Sequence, residues 1–182
     1  MSRPKIDARP TRVSDVLRSW DVLPVADLEM LFGAGPPLVL APHPDDESIG
    51  CGGIIAGCCA QGPPPTVVVV TDGAASHPGS RRWPPEALRD LRESEAREAV
   101  RRLGLPGDRI RFLRLADAAA PHGGEAFDGA VDEVCRVVMS SRCGAVLATW
   151  SHDPHCDHKA VAKMARAVAC RTGVPHYAYP VW

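Results

Sequence analysis

The feature that most constrains the fold is a series of short apolar runs that alternate with longer segments of helical periodicity. The clearest run is residues 66–71 (TVVVVT), which is β-branched and lies between a proline cluster and Asp72-Gly73. Residues 38–41 (LVLA) are continuously apolar, which is typical of a strand buried on both faces of a parallel sheet. Three further strands are predicted at residues 110–115, 145–149 and 177–179.

Segments with helical patterns separate these strands, and no hairpin signal joins any two of them. The predicted helices are residues 52–60, 85–103, 127–141 and 158–170. This order favours right-handed βαβ units. We therefore predict an α/β fold of the Rossmann-like, three-layer α/β/α type, with a mostly parallel sheet of about five strands. No Gly-x-Gly-x-x-Gly follows the first strand, which argues against a dinucleotide cofactor.

The chain of 182 residues suits one domain. Residues 37–182 contain the predicted strands and form the expected domain. Residues 1–36 are expected to be a lead-in that packs on it, with short apolar patterns at 16–20 and 25–32.

Charge, hydropathy and cysteine spacing exclude several classes of protein. A formal net charge of -1 gives no electrostatic reason to expect a nucleic-acid partner. No apolar stretch approaches the roughly 20 residues of a membrane span, and the first residues lack the apolar core of a signal peptide. The seven cysteines include no Cys-x-x-Cys pair, which favours reduced thiols and a cytoplasmic location.

Two polar segments follow predicted strands directly. Residues 43–47 (HPDDE) come after the first strand, and residues 152–158 (HDPHCDH) come after the fourth. Together they hold four of the seven histidines. Because the carboxyl ends of parallel strands lie at one edge of a sheet, we expect both segments to meet in one pocket there. Either segment alone is more typical of a solvated turn, a helix cap or a surface loop.

The residue types in these segments suit a catalytic zinc ion, or another divalent transition metal. Such sites commonly use three imidazole or carboxylate ligands, and a calcium site would need more carboxylates. His43 and Asp46 could supply two ligands from one turn, and His158 the third. Asp45, adjacent to a ligand but pointing elsewhere, could act as general base for a water molecule on the metal.

Two further side chains have plausible roles in the same chemistry. His155 could stabilise a developing oxyanion as an imidazolium and then protonate a leaving amine. Asp157 is suited to orient His155 or His158 from behind.

At these residues the sequence resembles the LmbE-like, or PIG-L, family of zinc-dependent de-N-acetylases. The matching segments are 41–53 (APHPDDESIGCGG), 71–73 (TDG) and 155–161 (HCDHKAV), and the similarity extends from about residue 37 to the C-terminus. The resemblance implies a hydrolase that removes an N-acetyl group from an N-acetylglucosamine-like small molecule or glycoconjugate. It implies the roles given above for the ligands, for the base and for the oxyanion stabiliser.

The resemblance also implies a role for Arg92, as a substrate-binding residue that reaches hydroxyl groups. Spacing alone does not single it out; as a surface helix charge, Arg92 would pair with Glu95 or Glu98. The expected partner is a small N-acetylated molecule, and a homo-oligomer is left open.

The sequence departs from the family pattern in two places. Relatives usually continue past the segment that matches Tyr179–Trp182, so the resemblance implies a domain that is short at its C-terminus. Cys156 replaces a usual proline. The alternative functions are a metal hydrolase of another N-acyl amide and a catalytically impaired metal-binding scaffold.

Overall fold

The computed structural model describes residues 12–181, and five parallel strands form its single sheet. Residues 1–11, on which the predicted lack of a signal peptide depends, and Trp182 lie outside the described residues. The spatial order is β3-β2-β1-β4-β5. The strands are β1 (Pro37–Ala41), β2 (Thr66–Thr71), β3 (Ile110–Leu115), β4 (Ala145–Thr149) and β5 (His176–Tyr179).

Helices cover both faces of the sheet and complete three layers. Four follow the strands: α3 (Asp46–Gln61), α4 (Pro85–Arg102), α5 (Gly124–Ser140) and α6 (Cys156–Thr172), with a 3-10 turn at Gly107–Arg109. Val39 and Val67 pack in a core with residues of α3 and α4, whereas Leu40 and Val68 pack on the opposite face with α5 and α6. The strands are therefore buried on both sides, and the predicted fold class is confirmed.

The lead-in forms two short helices, α1 (Val13–Trp20) and α2 (Leu28–Phe32). The second contacts the domain, because Phe32 is buried and the Tyr177 hydroxyl donates a hydrogen bond to the Leu31 carbonyl at 2.9 Å. In α1, the Val13 and Leu17 side chains are exposed. The domain boundary near residue 36 stays a prediction. No helix in the described part of the chain is long and apolar enough to cross a membrane.

Helix α3 begins six residues earlier than predicted, at Asp46 rather than residue 52. The predicted start was wrong because glycines at 50, 52 and 53 lower helix propensity, whereas tertiary packing fixes this turn. A Cβ atom on Gly50 would lie 2.3 Å from the Tyr179 ring, so glycine allows β5 to approach α3 closely. The early start places Asp46 in the first helical turn, at the carboxyl edge of the sheet.

The order of the strands reverses between β1 and β4. From β1 the chain proceeds to β2 and β3 on one side, and from β4 to β5 on the other. In open α/β sheets this switch point leaves a crevice at the carboxyl ends of the two strands. Residues 43–47 follow β1 and residues 152–158 follow β4, so both polar segments lie at the crevice.

Candidate active site

Asp46 lies between the two histidines that were predicted to bind a metal with it. Its Oδ2 atom is 3.1 Å from His43 Nδ1 and 3.2 Å from His158 Nε2. The same oxygen accepts a hydrogen bond from the His43 backbone N–H at 3.0 Å. Asp46 and His158 are buried, the first in α3 and the second in α6. The fold thus brings all three predicted ligands together.

The second ring nitrogen of each histidine faces another carboxylate. His43 Nε2 lies 3.1 Å from Asp157 Oδ2 and 3.3 Å from Asp117 Oδ1. His158 Nδ1 lies 3.0 Å from Asp153 Oδ2. Carboxylates in this position fix the ring orientation and tautomer of a metal-binding histidine and raise its basicity.

The partner of Asp157 differs from the prediction. We expected it to orient His155 or His158, but its carboxylate contacts His43. The same carboxylate accepts hydrogen bonds from the backbone N–H groups of Ala118 (2.7 Å) and Ala120 (2.9 Å). Because α6 begins at Cys156, Asp157 lies in its first turn and meets the loop after β3. Asp153 takes the place beside His158.

The carboxylates dominate the electrostatics of the protein without metal. Burial lowers the pKa of His43, but hydrogen bonds with Asp117, Asp157 and Asp46 outweigh it and raise the pKa to about 11. Burial alone would raise the pKa of Asp46, yet its hydrogen bonds with His158 and His43 hold it well below its usual range. Carboxylates outnumber imidazoles in this cluster. Asp46, Asp117, Asp153 and Asp157 lie within 3.3 Å of nitrogens of His43 and His158, and this excess of negative charge favours a bound cation.

Several sets of side chains in the described chain bring potential ligand atoms within 4.8 Å of one another. These are His43/His155/His158, His155/Cys156/Asp157 and His43/Asp117/Asp157; none includes Asp46. Zinc bonds of about 2.0–2.1 Å in a tetrahedron hold ligand atoms about 3.3 Å apart. Two of the three distances within the predicted set, from Asp46 Oδ2 to His43 Nδ1 and to His158 Nε2, are 3.1 and 3.2 Å and are close to that spacing. Two imidazoles and a carboxylate fit a divalent transition metal.

Asp45 precedes α3 in a strained backbone conformation, with φ 144°. Its N–H donates a hydrogen bond to Glu47 Oε2 at 3.0 Å. Its carbonyl accepts hydrogen bonds from the N–H groups of Ser48 and Ile49, each at 2.9 Å. The turn therefore directs Asp46 inward and leaves the Asp45 carboxylate half exposed.

Arg92 of α4 contacts this turn. Its Nη2 donates hydrogen bonds to Asp45 Oδ2 at 2.8 Å and to the Pro44 carbonyl at 2.7 Å. These contacts replace the alternative pairing with Glu95 or Glu98. Burial raises the pKa of Asp45, and the Arg92 charge partly opposes that rise.

His155 is the N-cap of α6, and its Nδ1 accepts a hydrogen bond from the Asp157 backbone N–H at 3.2 Å. A neutral imidazole that accepts at Nδ1 carries its proton on Nε2. The geometry therefore favours a neutral Nε2–H donor rather than the imidazolium that we expected. The His155 ring packs edge-on against His43, with ring centroids 4.7 Å apart.

These groups surround a cavity of about 310 Å³, which we call the catalytic cavity. Its lining residues are His43, Asp45, Asp46, Ile49, Ala75, Ser76, Arg92, Asp117, Ala118, His155 and His158. The predicted site residues other than Asp157 therefore face one space.

A family model confirms the resemblance. The model of the GlcNAc-PI de-N-acetylases, PIG-L, matches residues 38–169. The chain belongs to the PIG-L family. No curated protein matches it significantly.

Solved structures share the fold of this PIG-L chain. The N,N'-diacetylchitobiose deacetylase from Pyrococcus horikoshii has a TM-score of 0.69 and 21% identity, over 90% of this chain and 61% of that one. The conserved protein TT1542 from Thermus thermophilus has a TM-score of 0.64 and 29% identity, over 79% and 65%. The 4-carboxy-2-hydroxymuconate hydratase GalB from Pseudomonas putida has a TM-score of 0.65 and 22% identity, over 75% and 56%. The chain thus spans less than two thirds of each of these proteins, and the fold alone does not select a reaction.

The sequence interpretation of this PIG-L chain missed roles for Asp117, Asp153 and Glu47. Asp117 lies two residues after β3, so the strand-end argument that found residues 43–47 would have found it too. Asp153 and Glu47 lie inside the two polar segments. No spacing rule distinguishes a carboxylate that faces an imidazole from its solvated neighbour.

Proposed function

We propose that this PIG-L chain is a zinc-dependent hydrolase that removes the acetyl group from an N-acetylglucosamine-like small molecule or glycoconjugate. The observation that carries the proposal is the convergence of His43 Nδ1 and His158 Nε2 on Asp46 Oδ2, beside an Asp45 carboxylate that faces the same cavity. The family description supports the choice of reaction, and the N,N'-diacetylchitobiose deacetylase shows that this fold can carry such a reaction.

Zinc would be held by His43, Asp46 and His158. When bound, it polarises a carbonyl group and lowers the pKa of a coordinated water molecule. Asp157 accepts a hydrogen bond from His43 Nε2, and Asp153 Oδ2 lies 3.0 Å from His158 Nδ1, so each carboxylate helps to hold one imidazole in place.

Asp45 acts as the general base. Its carboxylate takes a proton from the attacking water as the new C–O bond forms at the amide carbonyl. Arg92 holds Oδ2 of this carboxylate and, once substrate binds, donates to a sugar hydroxyl from the same cavity. Asp45 carries that proton after the attack and returns it to the leaving amine when the C–N bond breaks.

His155 stabilises the oxygen that gains negative charge during attack. Its Nε2–H donates to that oxygen, and the Asp157 backbone N–H fixes the required tautomer. The products are acetate and the protonated amine, so atoms, protons and charge balance with one water consumed.

Acetate release from methyl N-acetylglucosaminide, by protein loaded with one equivalent of zinc, tests the proposal. Asp45→Asn is the matched variant and should lose hydrolysis while retaining zinc. Turnover of N-acyl amino acids but not of N-acetyl amino sugars would favour a hydrolase of another amide. Tight zinc binding without hydrolysis of either class would favour a metal-binding scaffold.

A further inference from the structure

A second cavity, of about 460 Å³, adjoins the catalytic cavity along α4. We call it the α4 groove; it lies between α4, the first turn of α3 and the loop that ends at Trp83. Four residues line both spaces: Asp45, Ile49, Ser76 and Arg92. The groove is therefore continuous with the proposed site of hydrolysis.

The α4 groove has both polar and apolar walls. Asp45 and Arg92 are shared with the catalytic cavity, and Glu47 and Ser48 add polar groups from the first turn of α3. The apolar walls come from Trp83, Leu88, Leu91, Ala96 and Ala99. Two exposed polar residues, His77 and Glu95, also line the groove and leave part of it open to water.

Ile49 marks the junction of the two spaces. Its side chain is 64% exposed although it belongs to the first turn of a helix packed on the core. A ligand that enters from the catalytic cavity covers this apolar surface, and its burial would favour binding. Ala96 and Ala99 are small residues of α4 on the groove wall, where larger side chains would occupy the space.

We infer that the α4 groove binds an apolar substituent on the amine side of the substrate, namely an alkyl or aryl aglycone of an N-acetylglucosaminide. The inference rests on the proposed function, because it places the amide at the Asp46 cluster and a sugar hydroxyl at Arg92. Arg92 lines both spaces, whereas His43, Asp46 and His158 line only the catalytic cavity. The group that reaches the groove is therefore the one that the sugar carries rather than the acyl group.

The test compares methyl, butyl and hexyl β-glycosides of N-acetylglucosamine with the zinc-loaded protein. Each methylene buried in the groove should lower KM by up to about fourfold. The kcat should stay constant, because binding that is equal in ground state and transition state changes KM alone.

Two variants locate the effect. Ala99→Leu fills the groove with a side chain that favours helix, and Trp83→Ala removes its aromatic wall. Both should bring the ratio of methyl to hexyl KM close to one. Met139→Gln is the control, because Met139 is 66% exposed on α5, outside both cavities, and should keep the wild-type ratio.

The outcomes separate the two proposals. If the protein hydrolyses the methyl glycoside but neither variant changes the ratio of methyl to hexyl KM, the groove assignment is wrong and the proposed function still holds. If KM instead depends on the length of the acyl group in N-acetyl, N-butyryl and N-hexanoyl glucosamine, and not on the aglycone, the assignment of the groove to the amine side of the substrate is wrong. Failure to hydrolyse any glucosaminide rejects the proposed function, and calorimetry with methyl and hexyl glucosaminides then tests the groove without chemistry.

Discussion

Arg92 donates to Asp45 Oδ2 at 2.8 Å and so links α4 to the turn that carries the proposed base. The same guanidinium nitrogen donates to the Pro44 carbonyl at 2.7 Å. One side chain therefore holds both the backbone and the carboxylate of that turn, and its charge opposes the rise in the pKa of Asp45 that burial causes. Arg92 thus contacts the proposed base and also lines the catalytic cavity.

Arg92→Ala should lower kcat/KM by about 10- to 100-fold, because the carboxylate loses its fixed position. Removing the positive charge raises the pKa of Asp45, and a base must be deprotonated to act. The acid limb of the pH profile of kcat/KM should therefore move to higher pH. Arg89→Ala is the control, since Arg89 bonds to Asp90 on the same helix. An unmoved limb in Arg92→Ala would show that this charge does not act on the base.

The adjacent acids Asp45 and Asp46 should give different defects. Asp45→Asn should lower kcat by roughly 10²- to 10⁴-fold and retain one zinc per chain after dialysis. Asp46→Asn should lose stoichiometric zinc, because its Oδ2 faces both imidazoles. Zinc content by atomic emission and acetate release by an enzymatic assay measure the two properties. Loss of zinc from Asp45→Asn with retention in Asp46→Asn would reverse the proposed roles.

Much of the fold followed from local pattern. The strand at residues 66–71 has the predicted bounds, and the strand predicted at 38–41 begins one residue earlier, at Pro37. Continuous apolar runs separated by helical segments leave few arrangements besides a parallel sheet. Because the carboxyl ends of parallel strands lie at one edge of a sheet, the meeting of residues 43–47 and 152–158 at one crevice could then be predicted.

The finer contacts could not be predicted because they join segments that are distant in sequence. Asp157 contacts His43 rather than the neighbouring histidines because the loop at Ala118 and Ala120 holds its carboxylate. The start of α3 depends on packing against Tyr179, which helix propensity does not take into account. Oligomeric state and cellular location stay predictions.

The metal-free protein should lose stability as the pH rises from about 7 towards 11. The folded-state pKa of His43 is raised to about 11 from 6.5. A raised pKa gives stabilisation that is complete below the unfolded-state value and is lost as the pH passes through the folded-state value. Urea denaturation with chelator at several pH values measures this.

Zinc should remove that dependence, because it replaces the proton on His43. Binding at pH 7 should therefore release a proton, seen as a calorimetric enthalpy that varies with the ionisation enthalpy of the buffer. Asp157→Asn should bind zinc about 10- to 100-fold more weakly and release fewer protons. A binding enthalpy independent of buffer would contradict the protonated state of His43.

Glu47 should stabilise the strained turn at Asp45. Its buried carboxylate accepts from the Asp45 N–H at 3.0 Å and from the Ser48 hydroxyl at 2.7 Å. Glu47→Ala leaves that N–H without its acceptor and should lower the free energy of unfolding by about 1–3 kcal/mol. It should also lower kcat, because φ of 144° at Asp45 persists only where its surroundings enforce it.

Glu47→Gln keeps an acceptor oxygen and should restore most of both properties, whereas Glu125→Ala, in the exposed first turn of α5, should match wild type. Equal kcat in Glu47→Ala and wild type would mean that the turn holds Asp45 without this carboxylate.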